Sequence, residues 1–410
     1  MKNLIKGLSL VALAVSTGSH ADSFNARFAG QGFTSITQDF TASLNNPALI
    51  NKYHKDDDVY FSTNFGAIIS DEYDVFDTGE NIADNIDILS DDINALTGGD
   101  IPLTEIPARQ QALQGQVNAI TAELATIDEK PLTLRGGVNL FAIIPNEYLS
   151  FGLFVNQYGR IGVTVDYDEA DALKLQEAID TLDESLLDDL TSSGLGLGYS
   201  VIEAGVMFGK EIVVKENYDI SVGAKIKQQR IDLVFTDVTI NDFDADEFDL
   251  DDDFTDTNAV NFDLSVYASW GSQRQWHFAF VANNLSEQEI NFTSTRGDNQ
   301  QVNFAIEPSV KVGLSYQQDW YSISTEIDLT DREGFNALDK PKYASIGAEL
   351  RWDEHAQFRL GARTDLNDVE GDIFTAGFGL SPWDTFSFDL AALTGDRDTL
   401  GVALQMGLKL

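Results

Sequence analysis

The sequence contains no cysteine, only four histidines, and 26 basic residues against 67 acidic ones. The lack of cysteine excludes disulfide bonds and thiolate metal sites. The formal net charge of −41 argues against a nucleic-acid partner, because such binding needs basic patches that displace counterions from phosphates. Beyond the N-terminal region there is no run of about eighteen apolar residues, so the sequence predicts no transmembrane helix.

The first residues have the pattern of a secretory signal peptide, which we predict to occupy residues 1–21. Lys2 and Lys6 precede an apolar run at residues 8–15, and Ser19-His20-Ala21 forms a small-x-small cleavage site. No cysteine follows that site, which excludes a lipoprotein anchor. An exported chain without a transmembrane helix can be embedded in a membrane only as a closed barrel. We therefore predict a location in the cell outer membrane, with its lipid as a partner.

From residue 58 onward, apolar and polar residues alternate as they do in half-buried β-strands. Fourteen such segments begin near residues 58, 131, 147, 194, 217, 258, 275, 303, 320, 342, 356, 372, 384 and 398. The faces opposite to the apolar ones carry charge, which favours lipid outside and a polar lumen inside over a sandwich. The predicted fold class is all-β: a closed antiparallel transmembrane β-barrel of about fourteen strands, spanning residues 58–410. Its first and last strands should pair, since closure removes both sheet edges.

The connections and the tryptophans support this prediction. If the N-terminus is periplasmic, the outward connections are long and the periplasmic turns short, as is usual in outer-membrane barrels. The long connections are 71–130, 168–193, 241–257, 294–302 and 331–341. The five tryptophans all lie beside short turns and predict a periplasmic aromatic girdle: Trp270, Trp276, Trp320, Trp352 and Trp383. Indole rings favour the membrane–water boundary because the ring is apolar and its N–H needs a partner.

Two of the long connections contain apolar residues at helical spacing. The stripes are Ile82, Ile86, Leu89, Ile93 and Leu96; Leu113, Val117, Ile120, Leu124 and Ile127; and Leu175, Ile179, Leu182, Leu186 and Leu190. We predict helical extracellular insertions at 71–130 and 168–193 that pack on one another as a cap. The alternative is a docking surface for another cell or protein.

The connection 241–257 carries nine carboxylates. Calcium prefers several oxygen ligands, but the segment lacks the glycine and the closing glutamate of an EF-hand loop. We predict a solvated acidic loop without a defined metal site.

Residues 22–57 show neither strand alternation nor a helical stripe, and we predict that they form a plug inside the barrel. Small residues such as Ala29, Gly30 and Gly32 allow close backbone packing, and Asn46-Pro47-Ala48 is a turn signal. A barrel of this strand number is too wide for its own side chains to fill. The alternative is a disordered N-terminal extension.

This stretch also carries a family resemblance. Ala29-Gly30-Gln31-Gly32, Asp39 and Asn46-Pro47-Ala48 resemble the opening of FadL-like outer-membrane proteins, in which the region forms a hatch. The sequence is most similar to the barrel proteins known as conjugal-transfer TraF. It departs from the glycine-dense opening of that group at Phe28 and Gln31.

Alternation turns a set of mixed charges toward the lumen. These are Arg135, Lys225, Asp263, Lys311, Glu326, Glu349, Arg351, Arg359, Arg363 and Asp389. Neighbouring charges of opposite sign offset the cost of burial, and they could also bind the plug or line a path. His277 and Asp263 could form part of a hydrolase site, but no serine is uniquely placed beside them and no catalytic motif occurs. We predict no enzyme, no catalytic residue and no cofactor.

Two functions remain open. Resemblance to FadL-like proteins implies passage or binding of a small hydrophobic molecule through a hatch. Resemblance to the TraF barrels implies a surface component of a conjugal-transfer or secretion apparatus, with other apparatus proteins as partners. Aromatic side chains clustered in the lumen would favour the first function, and an exposed apolar stripe on the cap would favour the second.

Overall fold

The computed structural model describes residues 24–53, 58–98, 106–146, 148–240, 254–293, 301–336, 338–352, 355–383 and 385–410. The predicted signal peptide lies outside these ranges, as do residues 22–23 and 54–57 of the predicted plug segment and residues 241–253 of the predicted acidic loop. The remaining residues of that loop, 254–257, pair with the preceding strand and form the start of a wall strand, so the predicted loop ends too late. Seventeen strands occur in the described chain: β1 (Tyr60–Ser70), β2 (Pro131–Ile144), β3 (Ser150–Asp166), β4 (Ser193–Val214), β5 (Tyr218–Thr239), β6 (Phe254–Trp270), β7 (Trp276–Asn283), β8 (Gln288–Thr293), β9 (Gln301–Ile306), β10 (Ser309–Gln317), β11 (Tyr321–Asp328), β12 (Gly334–Phe335), β13 (Tyr343–Trp352), β14 (Ala356–Asp365), β15 (Ile373–Trp383), β16 (Phe386–Gly395) and β17 (Thr399–Lys409).

Fourteen of these strands close into one antiparallel barrel, which confirms the predicted fold class. The order around the wall is β1-β17-β16-β15-β14-β13-β11-β10-β7-β6-β5-β4-β3-β2. β1 pairs with β17 from Tyr60↔Lys409 to Ile69↔Leu400, as predicted, and with β2 on its other side. Every wall strand therefore has two hydrogen-bonded neighbours, the condition for a sheet to stand in lipid.

The two faces of the wall differ as the alternation predicts. In β17, Val402, Met406 and Leu408 are exposed on the outer surface, whereas Ala403 and Gln405 are buried toward the lumen. An apolar outer face lowers the free energy of the barrel in lipid, while the polar inner groups find partners inside.

The barrel has two unlike ends. Short connections join the strands at one end, here called the turn end, for example residues 215–217 and 271–275. β4 continues to Val214 across a register shift, which leaves a short turn before β5. Long connections, four of them with helices or small strands, lie at the other end, here called the cap end.

Three helices form the cap: α2 (Val75–Thr97), α3 (Ile106–Ile127) and α4 (Glu169–Thr181). Their apolar stripes are buried in one shared core, which includes Ile86, Val117 and Ile179. Among the described residues, no helix has the length and apolar character that a membrane span requires.

The third predicted stripe, 175–190, is not one helix. α4 ends before Leu182, which takes the left-handed conformation with a φ of 55°. The N–H of Asp183 then donates to the carbonyl of Ala178 at 3.1 Å, a helix-terminating hydrogen bond. Leu190 nevertheless joins the cap core, so the apolar pattern indicated burial correctly and helix length wrongly.

The strand predicted to begin near residue 303 is also corrected. β9 pairs with β8 and β12 in a separate three-stranded sheet at the cap end, and the wall strand β10 begins only at Ser309. Pro308 separates the two strands, and proline has no N–H to donate to a ladder. Residues 301–302 of the predicted loop 294–302 belong to β9, and residues 294–300 lie outside the described ranges. The connection 331–341 contains β12.

Residues 24–53, here called the plug, lie inside the barrel. They contain α1 (Ala26–Ala29) and two 3₁₀ helices, Phe40–Ala42 and Pro47–Lys52. The side chains of Asn25, Asp39 and Asn46 each accept backbone N–H bonds at the starts of these short helices. Such caps provide partners for irregular backbone that water does not reach.

Candidate functional site: the plug and the cap-end pocket

The wall carries glycines where the plug touches it. A Cβ added at Gly361 would lie 2.1 Å from the backbone nitrogen of Gly32, and one at Gly347 would lie 2.1 Å from the carbonyl oxygen of Gln31. A Cβ at Gly377, on the next strand, would lie 3.0 Å from the Cα of Gly30. Three adjacent strands therefore let the plug backbone approach theirs directly, which no larger residue would permit.

The small residues of the plug are required at the same contact. A Cβ added at Gly30 would lie 2.8 Å from the Cα of Gly377. Gly32 has a φ of 66°, and its N–H donates to the Thr375 hydroxyl at 2.9 Å. Ala29 is completely buried. The spacing of small residues in the sequence thus corresponds to one backbone-to-backbone contact.

Asn46-Pro47-Ala48 makes a second contact on the other side of the barrel. A Cβ at Gly223 would lie 2.1 Å from the Ala48 nitrogen, which donates to the Ser265 hydroxyl at 2.9 Å. The Asn46 amide donates to the carbonyl of Ile36 at 2.7 Å and so ties the two halves of the plug together.

A network of charges joins the plug to the wall near the turn end. Arg27 pairs with Asp39 at 2.8 Å within the plug and reaches Glu349 of the wall at 3.3 Å. The fully buried carboxylate of Glu349 pairs with Arg27, Arg351 and Arg359. Arg359 in turn pairs with Asp389 at 2.6 Å. This arrangement brings Asp39 and four of the predicted lumen charges into one network.

Other predicted lumen charges lie on the far wall. Lys225 pairs with Asp263 at 2.7 Å and donates to the carbonyl of Leu44 in the plug at 2.8 Å. Lys311 and Glu326 are 4.0 Å apart. Glu326 also accepts the backbone N–H groups of residues 35 and 36 at 2.9 and 3.2 Å, so carboxylates and lysines of the wall satisfy plug backbone groups.

His277 and Asp263 do not form a catalytic pair. His277 shares a hydrogen bond with the hydroxyl of Tyr267, while Asp263 binds Lys225 and accepts the Asn284 N–H at 2.9 Å. Within the described residues, no group of three or more acidic or histidine side chains is arranged to hold a metal ion.

A cavity of about 440 Å³ opens at the cap end, here called the cap-end pocket. Its apolar side consists of Leu195, Leu197, Tyr199, Phe235, Phe335 and Leu338. Its charged side includes Arg135, which forms a buried ion pair with Glu370, and Arg160, which lies 3.3 Å from the same carboxylate. The pocket therefore offers an apolar surface beside a fixed cluster of charge.

Aromatic side chains cluster in the lumen beside this pocket. The Tyr199 ring lies 4.6 Å from that of Phe304, and Phe304 lies 5.2 Å from Phe335. Tyr158, Ile231 and Ile290 belong to the same buried cluster. The small sheet β8-β9-β12 supplies one half of this cluster and the wall the other half.

Arg363 is the predicted lumen charge that takes an unexpected partner. Its guanidinium carbon lies 4.1 Å from the ring centre of Phe33 in the plug and 4.1 Å from that of Tyr343 in the wall. Tyr343, Glu370 and Phe335 were not among the predicted site residues. They come from three separate cap-end segments, and Glu370 lies outside any strand, so alternation gives no signal for it.

A second, larger depression of about 530 Å³ lies on the outer surface of the wall. It is lined by lipid-facing side chains such as Phe61, Leu140, Leu153 and Met406, all of them exposed. Because these residues face away from the lumen, the depression is not part of the site between the plug and the cap.

The five tryptophans lie at the turn end, on or beside the strand termini. Trp320, Trp352 and Trp383 are 63, 76 and 69% exposed, and Trp270 stacks on Trp276 with 6.4 Å between ring centres. Large exposed rings at one level of a barrel are expected to meet the membrane boundary.

Comparison with known proteins places these features in a family. A model of the family described as "F plasmid transfer operon, TraF, protein" matches residues 43–328. No curated protein matches the sequence.

Solved structures share the fold at low sequence identity. The Ralstonia pickettii toluene transporter TbuX has a TM-score of 0.55 at 10% identity, covering 95% of this chain and 99% of its own. The CymD monoaromatic hydrocarbon channel has a TM-score of 0.52 at 8% identity, covering 96 and 99%. A Pseudomonas aeruginosa FadL homologue has a TM-score of 0.50 at 10% identity, covering 94 and 98%. The chain thus shares its fold with FadL-like barrels over nearly their whole length.

Proposed function

Because a family model matches more than half of its sequence, this chain belongs to the TraF family of the F plasmid transfer operon, and we propose that it is an outer-membrane channel for a small hydrophobic molecule. One observation carries the proposal: an amphipathic pocket of about 440 Å³ opens at the cap end of a barrel whose lumen is filled by a plug. A molecule that entered the pocket would meet apolar side chains before it met the plug.

The aromatic cluster supports this function over a purely structural one. Tyr199 and Phe335 belong to the buried aromatic cluster and also line the pocket, where they offer apolar rings to a bound molecule. The proteins of similar fold are described as transporters or channels for toluene and monoaromatic hydrocarbons. At 8–10% identity that likeness concerns the fold, and it guides only the choice of a test ligand.

The proposal includes an orientation. Residues 1–21 act as the signal peptide, residues 22–57 form the plug segment, and residues 58–410 span the outer membrane. The cap faces outward, since the long connections of outer-membrane barrels lie outside the cell and the short turns face the periplasm. The tryptophans of the turn end then lie at the periplasmic boundary of the lipid. We propose no catalytic step, no cofactor and no defined calcium site in the acidic loop 241–257.

A second candidate follows from the family's description. A component of a conjugal-transfer apparatus would use its outer surface to contact other apparatus proteins or a recipient cell. The described cap offers only scattered exposed apolar residues, Ile88 and Leu173 among them, and buries its continuous stripes. This favours passage over docking. Plasmid transfer from cells that lack the protein should be unchanged if passage is its only role.

Uptake of radiolabelled toluene by cells that produce the protein tests the main proposal, since lipopolysaccharide slows the entry of hydrocarbons. Cells with the intact protein should take up toluene faster than cells without it. Leu197→Trp, which fills the pocket, should lower that uptake. Leu360→Trp, on the lipid-facing side of β14 where Leu360 is 67% exposed, is the matched control and should not. Equal uptake with and without the protein would refute the proposal.

A further inference from the structure

A groove of about 480 Å³ lies on the outer surface of the wall, between β3 and β7 and close to the turn end. Its lining is mostly apolar, and its one charged lining residue is Lys210, for which we call it the lysine groove. Phe208 and Leu264 are the pairing neighbours of Ala224 on β4 and β6. The small side chain of Ala224 leaves a hollow between these two larger ones.

Lys210 points outward from the wall. Its two neighbours in β4 point inward: a Cβ added at Gly209 would collide with Ile50 of the plug, and Glu211 pairs with Lys52 at 2.9 Å. Successive residues of a strand point to opposite faces, so the side chain of Lys210 is on the lipid-facing side. Among the described residues, no carboxylate pairs with its ammonium group.

Lys210 also lies close to the aromatic girdle. It is opposite Val222 on β5, and Tyr218, four residues nearer the turn end on the same strand, is opposite Trp270. Four residues of a tilted strand span about 10 Å of membrane depth. On the other side of β4, the strand β3 begins only at Ser150, so Lys210 stands beside the turn that precedes it. A lysine at this level lays its aliphatic stem along the wall and carries its charge to the membrane boundary.

The depression of about 530 Å³ on the same outer surface lacks this feature. Its lining includes Phe61, Leu140 and Met406, and none of the described residues that line it is charged. Both hollows suit an acyl chain, because lipid surrounds the wall. Of the two, the lysine groove alone adds a cation without a protein partner. A charge that faces lipid is costly unless it reaches the boundary or meets an ion of opposite sign.

We propose that the lysine groove binds an anionic glycerophospholipid, with its phosphate on Lys210 and one acyl chain in the hollow. The groove extends from Lys210 to Ala224, which is two residues farther from the turn end than Val222. This is the direction in which an acyl chain enters the bilayer from its head group. The ligand is a phospholipid of the periplasmic leaflet, because the proposed orientation places the turn end there. The inference rests on that orientation and is independent of what passes through the lumen.

Native mass spectrometry of the purified full-length protein in detergent measures its affinity for each added lipid. Phosphatidylglycerol and phosphatidylcholine with the same acyl chains form the matched pair, because choline carries its own cation beside the phosphate. The intact protein should bind phosphatidylglycerol about fivefold more tightly, the gain expected from one lysine at an anionic head group. Lys210→Gln should lose this preference. Lys215→Gln is the control for charge, at an exposed residue of the next turn, and should keep it.

A second pair of variants tests the hollow. Ala224→Phe fills it and should weaken the binding of phosphatidylglycerol and reduce the preference. Ala142→Phe fills the uncharged depression in the same way and should leave the preference unchanged. Where Ala224→Phe fails to fold, the exposed Lys210→Gln still carries the test.

Equal affinity of the intact protein for the two phospholipids would overturn the proposal. An equal loss of preference in Lys210→Gln and Lys215→Gln would also overturn it, since the attraction would then be diffuse. Tighter binding of lipid A than of phosphatidylglycerol would place the ligand in the opposite leaflet and refute the assignment. Toluene uptake by cells reports on the proposed function separately, so either claim can fail without the other.

Discussion

A single methyl group at Gly361 should displace the plug and leave the barrel intact. The added Cβ would lie 2.1 Å from the Gly32 nitrogen, where ordinary contact begins at 3.4 Å, so one side must retreat by roughly 1.3 Å. Gly361 is held by ladder hydrogen bonds to β13 and β15, opposite Gly347 and Thr375. The plug is held there by one hydrogen bond to Thr375 and by packing, so the plug is the side that moves.

Overpacking of this kind costs about 1–3 kcal/mol when the neighbour cannot yield. That strain is released once the plug leaves, so Gly361→Ala should raise the open fraction by about fivefold to a hundredfold. Planar-bilayer conductance measures the effect. The control is Gly162→Ala on β3, where the nearest atom to an added Cβ is 3.9 Å away, and it should conduct as the intact protein does. A folded Gly361→Ala barrel with unchanged conductance would refute the reasoning.

Three further predictions follow from the charges. Glu349→Gln leaves Arg27, Arg351 and Arg359 around a neutral amide, and breaking such a buried network costs about 3–5 kcal/mol. Because the network joins the plug to the wall, the conductance of the variant should rise. An unchanged conductance in a folded barrel would contradict this role of the network. In the cap, burial raises the pKa of Asp171, but hydrogen bonds from Lys174 and Ser192 outweigh it and hold the pKa below its usual 3.8. The carboxylate therefore stabilises the cap above pH 3.8 and ceases to do so as the pH falls further. Hydrogen exchange of α4 should accelerate in that acidic range, and Asp171→Asn should already exchange fast at pH 6. Calcium titration should show no saturating site of micromolar affinity for residues 241–257, and one ion bound tightly per chain would show that prediction to be wrong.

The wall of the barrel could be predicted from the sequence because its physics is periodic. Lipid on one side and polar groups on the other require apolar and polar residues to alternate. Strands such as β17 can therefore be recognised from the sequence alone. Closure of β1 on β17 follows from the cost of an unpaired edge in lipid.

The small sheet escaped prediction for the same reason. Val302 and Phe304 alternate with polar residues as the wall strands do, but the apolar side of β9 faces the lumen cluster. Period-two alternation reports that one face is buried and does not distinguish lipid from an aromatic cluster.

The sequence also could not predict which residues contact one another across the lumen. Alternation placed Arg363 inside the barrel but could not show that the rings of Phe33 and Tyr343 pack against its guanidinium group. The wall glycines that receive the plug lie far from it along the sequence, with 175 positions between Gly223 and Ala48 and 329 between Gly361 and Gly32, and they look like ordinary strand glycines. Only the folded barrel brings them together.

Conductance of a variant that lacks residues 24–50 tests the central claim, that this barrel is a conduit closed by its own plug. We expect the variant to fold, to conduct ions in a planar bilayer, and to conduct far more than the intact protein under the same conditions. Equal and low conductance in both proteins would show that the segment does not close the lumen.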